Sequence, residues 1–136
     1  MPLVVDASVT LAWCLQDELS EYATRVLNVL AHDTAIVPSL WLVEVTNGLI
    51  VAERRGRLSG ADVAEVHKIL FDLMITFEEF SLDEAFGSIM GLGKTHKLSA
   101  YDAAYLHLAM REGLPLATQD QKLLAAATRV GVRVLD

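Results

Sequence analysis

Short apolar runs separated by helix-length stretches constrain this chain more than any other feature. Leu3-Val4-Val5 is continuously apolar and rich in β-branched residues, the pattern of a strand covered on both faces. Ala35-Ile36-Val37, closed by Pro38, repeats it. Phe77 to Phe80, Pro115 to Thr118 and Val132 to Leu135 read as further short strands. Between them lie helical segments. The apolar stretch Val9 to Leu15 is one. Ser20 caps a second from Glu21 to Ala31, with Tyr22, Val26, Leu27 and Leu30 facing inward. Ser39 caps a third that runs to Arg55 and stops at Gly56, with Leu42, Val45, Leu49 and Ala52 on its apolar side. Ser59 opens a helix to Met74. Leu82 to Lys94 is a helix weakened by Gly87, Gly91 and Gly93. Ser99 opens one that ends at Gly113, and Gln121 to Arg129 forms the last, ended by Gly131. Strands alternating with helices predict an α/β fold: a three-layer α/β/α arrangement around a central parallel sheet of about five short strands.

With 136 residues and no linker or repeat, the chain is expected to be a single domain over residues 1–136. A hydrophobic content of 53% excludes a disordered chain. No apolar run approaches the roughly 18 residues of a membrane span, and Met1 to Asp6 lacks the basic start of a signal peptide. The single cysteine, Cys14, has no internal disulfide partner and reads as a buried small hydrophobe in a reducing cytoplasm. The net charge of −7 disfavours tight, non-specific binding to nucleic acid. A metal-dependent enzyme that cuts nucleic acid remains compatible with it.

Asp102 is the residue that asks for chemistry. It falls in the first turn of the Ser99 helix, with Leu106 and Ala109 one and two turns further along its face. A carboxylate aimed at an interior is paired, protonated or bound to a metal. By itself, Ser99-x-x-Asp102 is also a capping-box variant favoured by the helix dipole. Three other acids have comparable settings. Asp6 ends the first strand, Asp120 follows Leu116-Ala117-Thr118 after Gln119 alone, and Glu44 lies early in the helix entered from the second strand. In open parallel sheets, ligands bind beyond the carboxyl ends of the strands, so all four acids are expected at one edge. Converged carboxylates repel strongly at low dielectric. One or two hard cations neutralise them, and an oxygen-only set favours Mg²⁺ or Mn²⁺ over zinc. That is the chemistry of phosphodiester hydrolysis. No Ser–His pair, HExxH, Cys/His cluster or phosphate-binding P-loop competes. Among the histidines, His32 and His67 read as surface or helix residues and His107 points away from Asp102. His96, with Lys94 and Lys97, is the one placed to approach a substrate.

The whole chain resembles the PIN-domain ribonucleases, and particularly the VapC-type toxins of bacterial toxin–antitoxin pairs. The likeness is carried by Val4-Val5-Asp6-Ala7-Ser8, Leu42-Val43-Glu44-Val45-Thr46-Asn47, Ser99-Ala100-Tyr101-Asp102-Ala103-Ala104-Tyr105 and Ala117-Thr118-Gln119-Asp120-Gln121-Lys122-Leu123, in that order. The resemblance implies an RNA substrate and a metal-binding quartet of Asp6, Glu44, Asp102 and Asp120. Asp6 and Asp102 would be the principal ligands, with Glu44 and Asp120 acting directly or through water. Ser8, Thr118 and Asn47 would orient a carboxylate or water, against the plain reading of strand-end capping for the first two and a solvated helix position for Asn47. It implies, too, a homodimer neutralised by a cognate antitoxin. Leu40, Trp41 and the helices from Ser39 to Arg55 and Ser59 to Met74 offer apolar surface for partners, and Arg54-Arg55-Gly56-Arg57 a basic site for an acidic partner or RNA phosphate, although core packing and a solvated helix end explain most of these residues.

Two other functions use similar parts. A phosphohydrolase working through an aspartyl phosphate wants a second acid near the first, which Asp6-Ala7-Ser8 lacks. A non-catalytic PIN-like binding module would leave four acids without a task.

Overall fold

The computed structural model describes residues 1–136. Its sheet contains β1 (Leu3–Val5), β2 (Ala35–Pro38), β3 (Ile75–Glu78) and β4 (Leu116–Ala117), in the order β3-β2-β1-β4 with every pairing parallel. The helices are α1 (Ala7–Cys14), α2 (Glu21–Leu30), α3 (Leu40–Arg54), α4 (Gly60–Phe71), α5 (Met90–His96), α6 (Ala100–Glu112) and α7 (Gln121–Arg129). A short 3-10 turn at Gln16–Glu18 precedes α2, and a π-helical segment at Glu84–Ile89 runs into α5.

β1 divides its side chains between two cores. Val4 packs with Trp41, Leu106, Leu108 and Leu123 on the α3, α6 and α7 side, while Leu3 and Val5 pack with Val9, Trp13, Val26 and Leu30 on the α1 and α2 side. Burial on both faces is why the strand carries no polar alternation. α6 is enclosed all round, with every residue from Ala103 to Ala109 buried. A smaller cluster of Cys14, Leu15, Ala52, Leu58 and Val66 joins α1, α3 and α4. Gly48 lets α3 approach α1 closely, since a Cβ there would lie 2.6 Å from a Leu11 methyl.

Several expectations shift. Four strands form instead of about five: the last predicted strand is reduced to a bridge between Leu116 and Val134. β3 begins at Ile75, two residues before the predicted Phe77, because α4 ends at Phe71 and frees Ile75-Thr76-Phe77 to pair with β2. Ser39 does not cap α3. Its backbone is already helical, and its hydroxyl donates 2.6 Å to Glu79 Oε1. Leu42, expected inside, is exposed. The glycine-weakened helix does form, but in two parts, closed at Lys97 in a left-handed conformation (φ 56°). No helix is long and apolar enough to cross a membrane.

Candidate active site

Asp6 is fixed where β1 turns into α1. As N-cap of α1 its Oδ1 accepts from Val9 N–H at 3.1 Å, and from the Ser8 hydroxyl at 2.7 Å. Its Oδ2 accepts from the Thr118 hydroxyl. The residue is 3% exposed. Burial pushes its carboxyl above the usual range, the Thr118, Ser8 and Val9 donors pull it back, and the Asp102 charge pushes it up again.

Thr118 ties two acids together. While its hydroxyl donates to Asp6, it accepts from Asp120 N–H at 3.0 Å. Asp120 caps α7, with Oδ1 accepting from Leu123 N–H at 2.9 Å. Because β1 and β4 are adjacent and parallel, the residues that follow them emerge at the same edge. Glu44, half-buried on α3, accepts 2.7 Å from the Tyr105 hydroxyl of α6. Burial raises its carboxyl, the Tyr105 bond lowers it, and the charges of Asp102 and Asp6 raise it. Asp102 is raised by burial and by the Asp120 charge, against Ser99 and Lys122. Each of the four acids therefore lies in the field of at least one other.

Nothing in the chain neutralises this set by direct contact. The seven ion pairs involve other acids, and Lys122 is the one cation among the groups acting on Asp6, Glu44 and Asp102. No three of the side chains close tightly around one point. Carboxylates sharing a low-dielectric corner repel one another, and an ion is what would draw them closer. The donor chemistry fits a hard cation: carboxylate and hydroxyl oxygens, no thiol or imidazole among them.

Ser8 and Thr118 stand where the sequence placed them, donating to Asp6. Asn47 makes no hydrogen bond to an acid; it is exposed beside Glu44 in a pocket with Leu40, Val43 and Tyr101. His96 meets Arg129 rather than an acid, with Arg129 Nη1 and His96 Nδ1 at 3.2 Å, and neither Lys94 nor Lys97 is among the charges acting on Asp6, Glu44 or Asp102. His107 is buried against Glu84, 2.7 Å away, which Arg111 also grips at 2.9 Å. Arg57 forks onto Asp17 and Glu18 of its own chain. Three residues have roles that the sequence reading missed, and Trp41, read there as apolar surface for partners, is buried. Tyr105 was visible as the position one turn beyond Asp102, on the same side of the helix. Thr10 and Trp41 were not, because their bond spans distant segments: Trp41 Nε1 donates 2.9 Å to Thr10 Oγ1, which donates to the Asp6 carbonyl at 3.2 Å. Gln119, without a role in the sequence, joins Ser20 at 3.1 Å.

Residues 3–129 match the PIN domain. The chain belongs to the PIN-domain family. This PIN domain is 32% identical to ribonuclease VapC3 of Pyrobaculum aerophilum over 123 residues, covering 90% of the chain and 92% of the relative, which puts it among the VapC-type members. It is similar to the crystal structure of PAE2754 from Pyrobaculum aerophilum, with a TM-score of 0.68 and 27% identity over 93% of this chain and 87% of that one. FitAcB from Neisseria gonorrhoeae has the same fold, with a TM-score of 0.64 and 20% identity over 100% of this chain and 97% of that one.

Proposed function

We propose that this PIN domain is a Mg²⁺-dependent endoribonuclease, with Mn²⁺ able to substitute, and the toxin of a toxin–antitoxin pair. The observation that carries the reading is a buried Asp6 at the end of the central strand, beside raised Glu44 and Asp102 carboxyls that no arginine or lysine contacts. Membership of the family and the likeness to a ribonuclease supply the reaction class.

Asp6 and Asp102 would hold the ion, with Glu44 and Asp120 joining directly or through water. A hard cation bound there acidifies water and stabilises charge on phosphate and leaving oxygens. The chain's own residues prepare the place. Ser8 and Thr118 donate to the two Asp6 oxygens, favouring the ionised form against burial and fixing the orientation of the group. Tyr105 donates to one oxygen of Glu44, and the other has no hydrogen-bond donor within the chain. Thr118, bonded to Asp120 N–H, fixes the distance between the two strand ends. Exposed Leu42, Val43, Ile50, Phe71, Phe77 and Phe86 support a homodimer and a cognate antitoxin as partners. The single free cysteine suits a cytoplasmic setting.

Thermal denaturation with added Mn²⁺ is the first test. A carboxylate cluster gains stability by linkage when the ion binds, so the parent melts higher with Mn²⁺ and the Asp6→Asn and Asp102→Asn variants do not. Both variants also lose RNA cleavage. Cleavage at the parent's rate by both would refute the assignment.

A further inference from the structure

A pocket of about 470 Å³ opens against the acidic cluster and is lined by Leu40, Val43, Glu44, Asn47 and Tyr101. It shares Glu44 with the cluster, and Tyr101 is the chain neighbour of Asp102. Whatever sits in it is therefore adjacent to whatever the four acids hold. Tyr101 is 61% exposed and Val43 is 70% exposed, which leaves a flat aromatic and an aliphatic side chain open to water beside the acids. Asn47 adds an exposed amide, both donor and acceptor, that the protein does not use.

These walls select the occupant. They contain no lysine or arginine and one acid, so a phosphate or carboxylate is repelled. A neutral, flat group with a polar edge is favoured: the ring stacks on it, the aliphatic side chains cover its rim, and the amide pairs with its edge. On a phosphodiester held at the acids, the group that fits is a nucleobase next to the bond being cut. We propose that this pocket is a nucleobase subsite, in which a base flanking the scissile phosphate stacks on Tyr101 and meets Asn47. The proposal rests on the ribonuclease reading. Stacking accepts any base because every base has a π face. Asn47 is then the group that ranks bases, and the apolar wall admits the strand only where bases are unpaired.

Two measurements decide it. The first compares kcat/KM for the parent and Tyr101→Ala on oligoadenylate and on the same oligonucleotide with one abasic residue beside the cut. Base–aromatic stacking predicts that removing the ring or the base each slows cleavage about tenfold, and that removing both slows it no further. Tyr101→Phe, which retains the ring, restores the dependence on the flanking base that Tyr101→Ala loses. The second uses single-stranded RNA carrying a fluorescent purine that is quenched on stacking, bound with Ca²⁺ so that turnover does not interfere. The parent and Tyr101→Phe quench it; Tyr101→Ala does not. Equal cleavage of base-bearing and abasic RNA, or losses that simply multiply, overturns the subsite. Absent quenching with all variants alike overturns it too, and assigns the pocket to an apolar side chain of a protein partner. Quenching without cleavage in Mg²⁺ or Mn²⁺ sustains the subsite and sinks the nuclease reading instead.

Discussion

Ser59-x-x-Asp62 and Ser99-x-x-Asp102 are the same local sequence put to different ends. At α4 the box is reciprocal: the Ser59 hydroxyl accepts from Asp62 N–H at 3.2 Å, and the Asp62 carboxylate accepts from Ser59 N–H at 2.9 Å. The Ser59 backbone and hydroxyl hold Asp62 below the usual carboxylate range. Ser81 and Glu84 close a similar pair of bonds, each 3.1 Å. At α6 only half of the box exists. Ser99 accepts from Asp102 N–H at 3.1 Å, and no return bond reaches Ser99 N–H. Burial and Asp120 push Asp102 upward instead. The same motif therefore yields an acid held low by its cap at α4 and, where the return bond to the backbone is missing, an acid that burial and a neighbouring charge push up at α6.

The largest effect expected from breaking the comparison is on activity. On the proposed role of Asp102 as a metal ligand, Asp102→Asn reduces RNA cleavage by at least the roughly hundredfold that loss of a ligand's supporting partner costs, while Asp62→Asn cleaves like the parent and melts at a lower temperature. Rates and melting curves for the two variants give the contrast directly. Tyr105→Phe comes next. It leaves Glu44 without its fixed donor and weakens Mn²⁺ binding about tenfold by calorimetry, within the range for residues that orient ligands. Ser59→Ala removes a cap at α4 alone and destabilises by about 1 kcal/mol with unchanged Mn²⁺ affinity.

The pH response sharpens the same contrast. Asp6, Glu44 and Asp102 have raised carboxyls, so the folded chain binds their protons more readily than the unfolded one. Without metal, stability therefore rises as pH falls from neutrality toward the ordinary carboxylate range. Asp62, which is lowered, and Glu84, lowered to about 2 chiefly by His107, act oppositely. Their contribution is present above the ordinary range and is lost below it. Metal-free melting temperature should thus pass through a maximum in mildly acidic solution, and Asp102→Asn should flatten its neutral limb. The smallest effect lies just before α6. Lys97→Gly relieves the left-handed residue and stabilises by up to about 1 kcal/mol, seen as a higher melting temperature.

Much of this was readable in residues. Val4-Val5-Asp6 announced a doubly covered strand ending in an acid, and the spacing of Asp102 and Tyr105 put them on neighbouring turns. What the chain concealed was long-range or marginal. Trp41 and Thr10 meet only once α3 is laid on α1. Ser39 had the composition of a cap, yet its hydroxyl found Glu79 across the β2–β3 pairing. Val132 to Leu135 had strand propensity, but pairing with a two-residue β4 gives it one bridge. His96, beside Lys94 and Lys97, read as the histidine placed to approach a substrate. The fold turns it toward Arg129.

Seven consecutive buried positions make α6 an axle, with Asp102 and Tyr105 both mounted on it. Loosening either would mean withdrawing the helix from the core that encloses it, so its amide protons should exchange with deuterium only through global opening. An inhibitor of such a protein gains little by trying to deform it. It has to stopper the mouth.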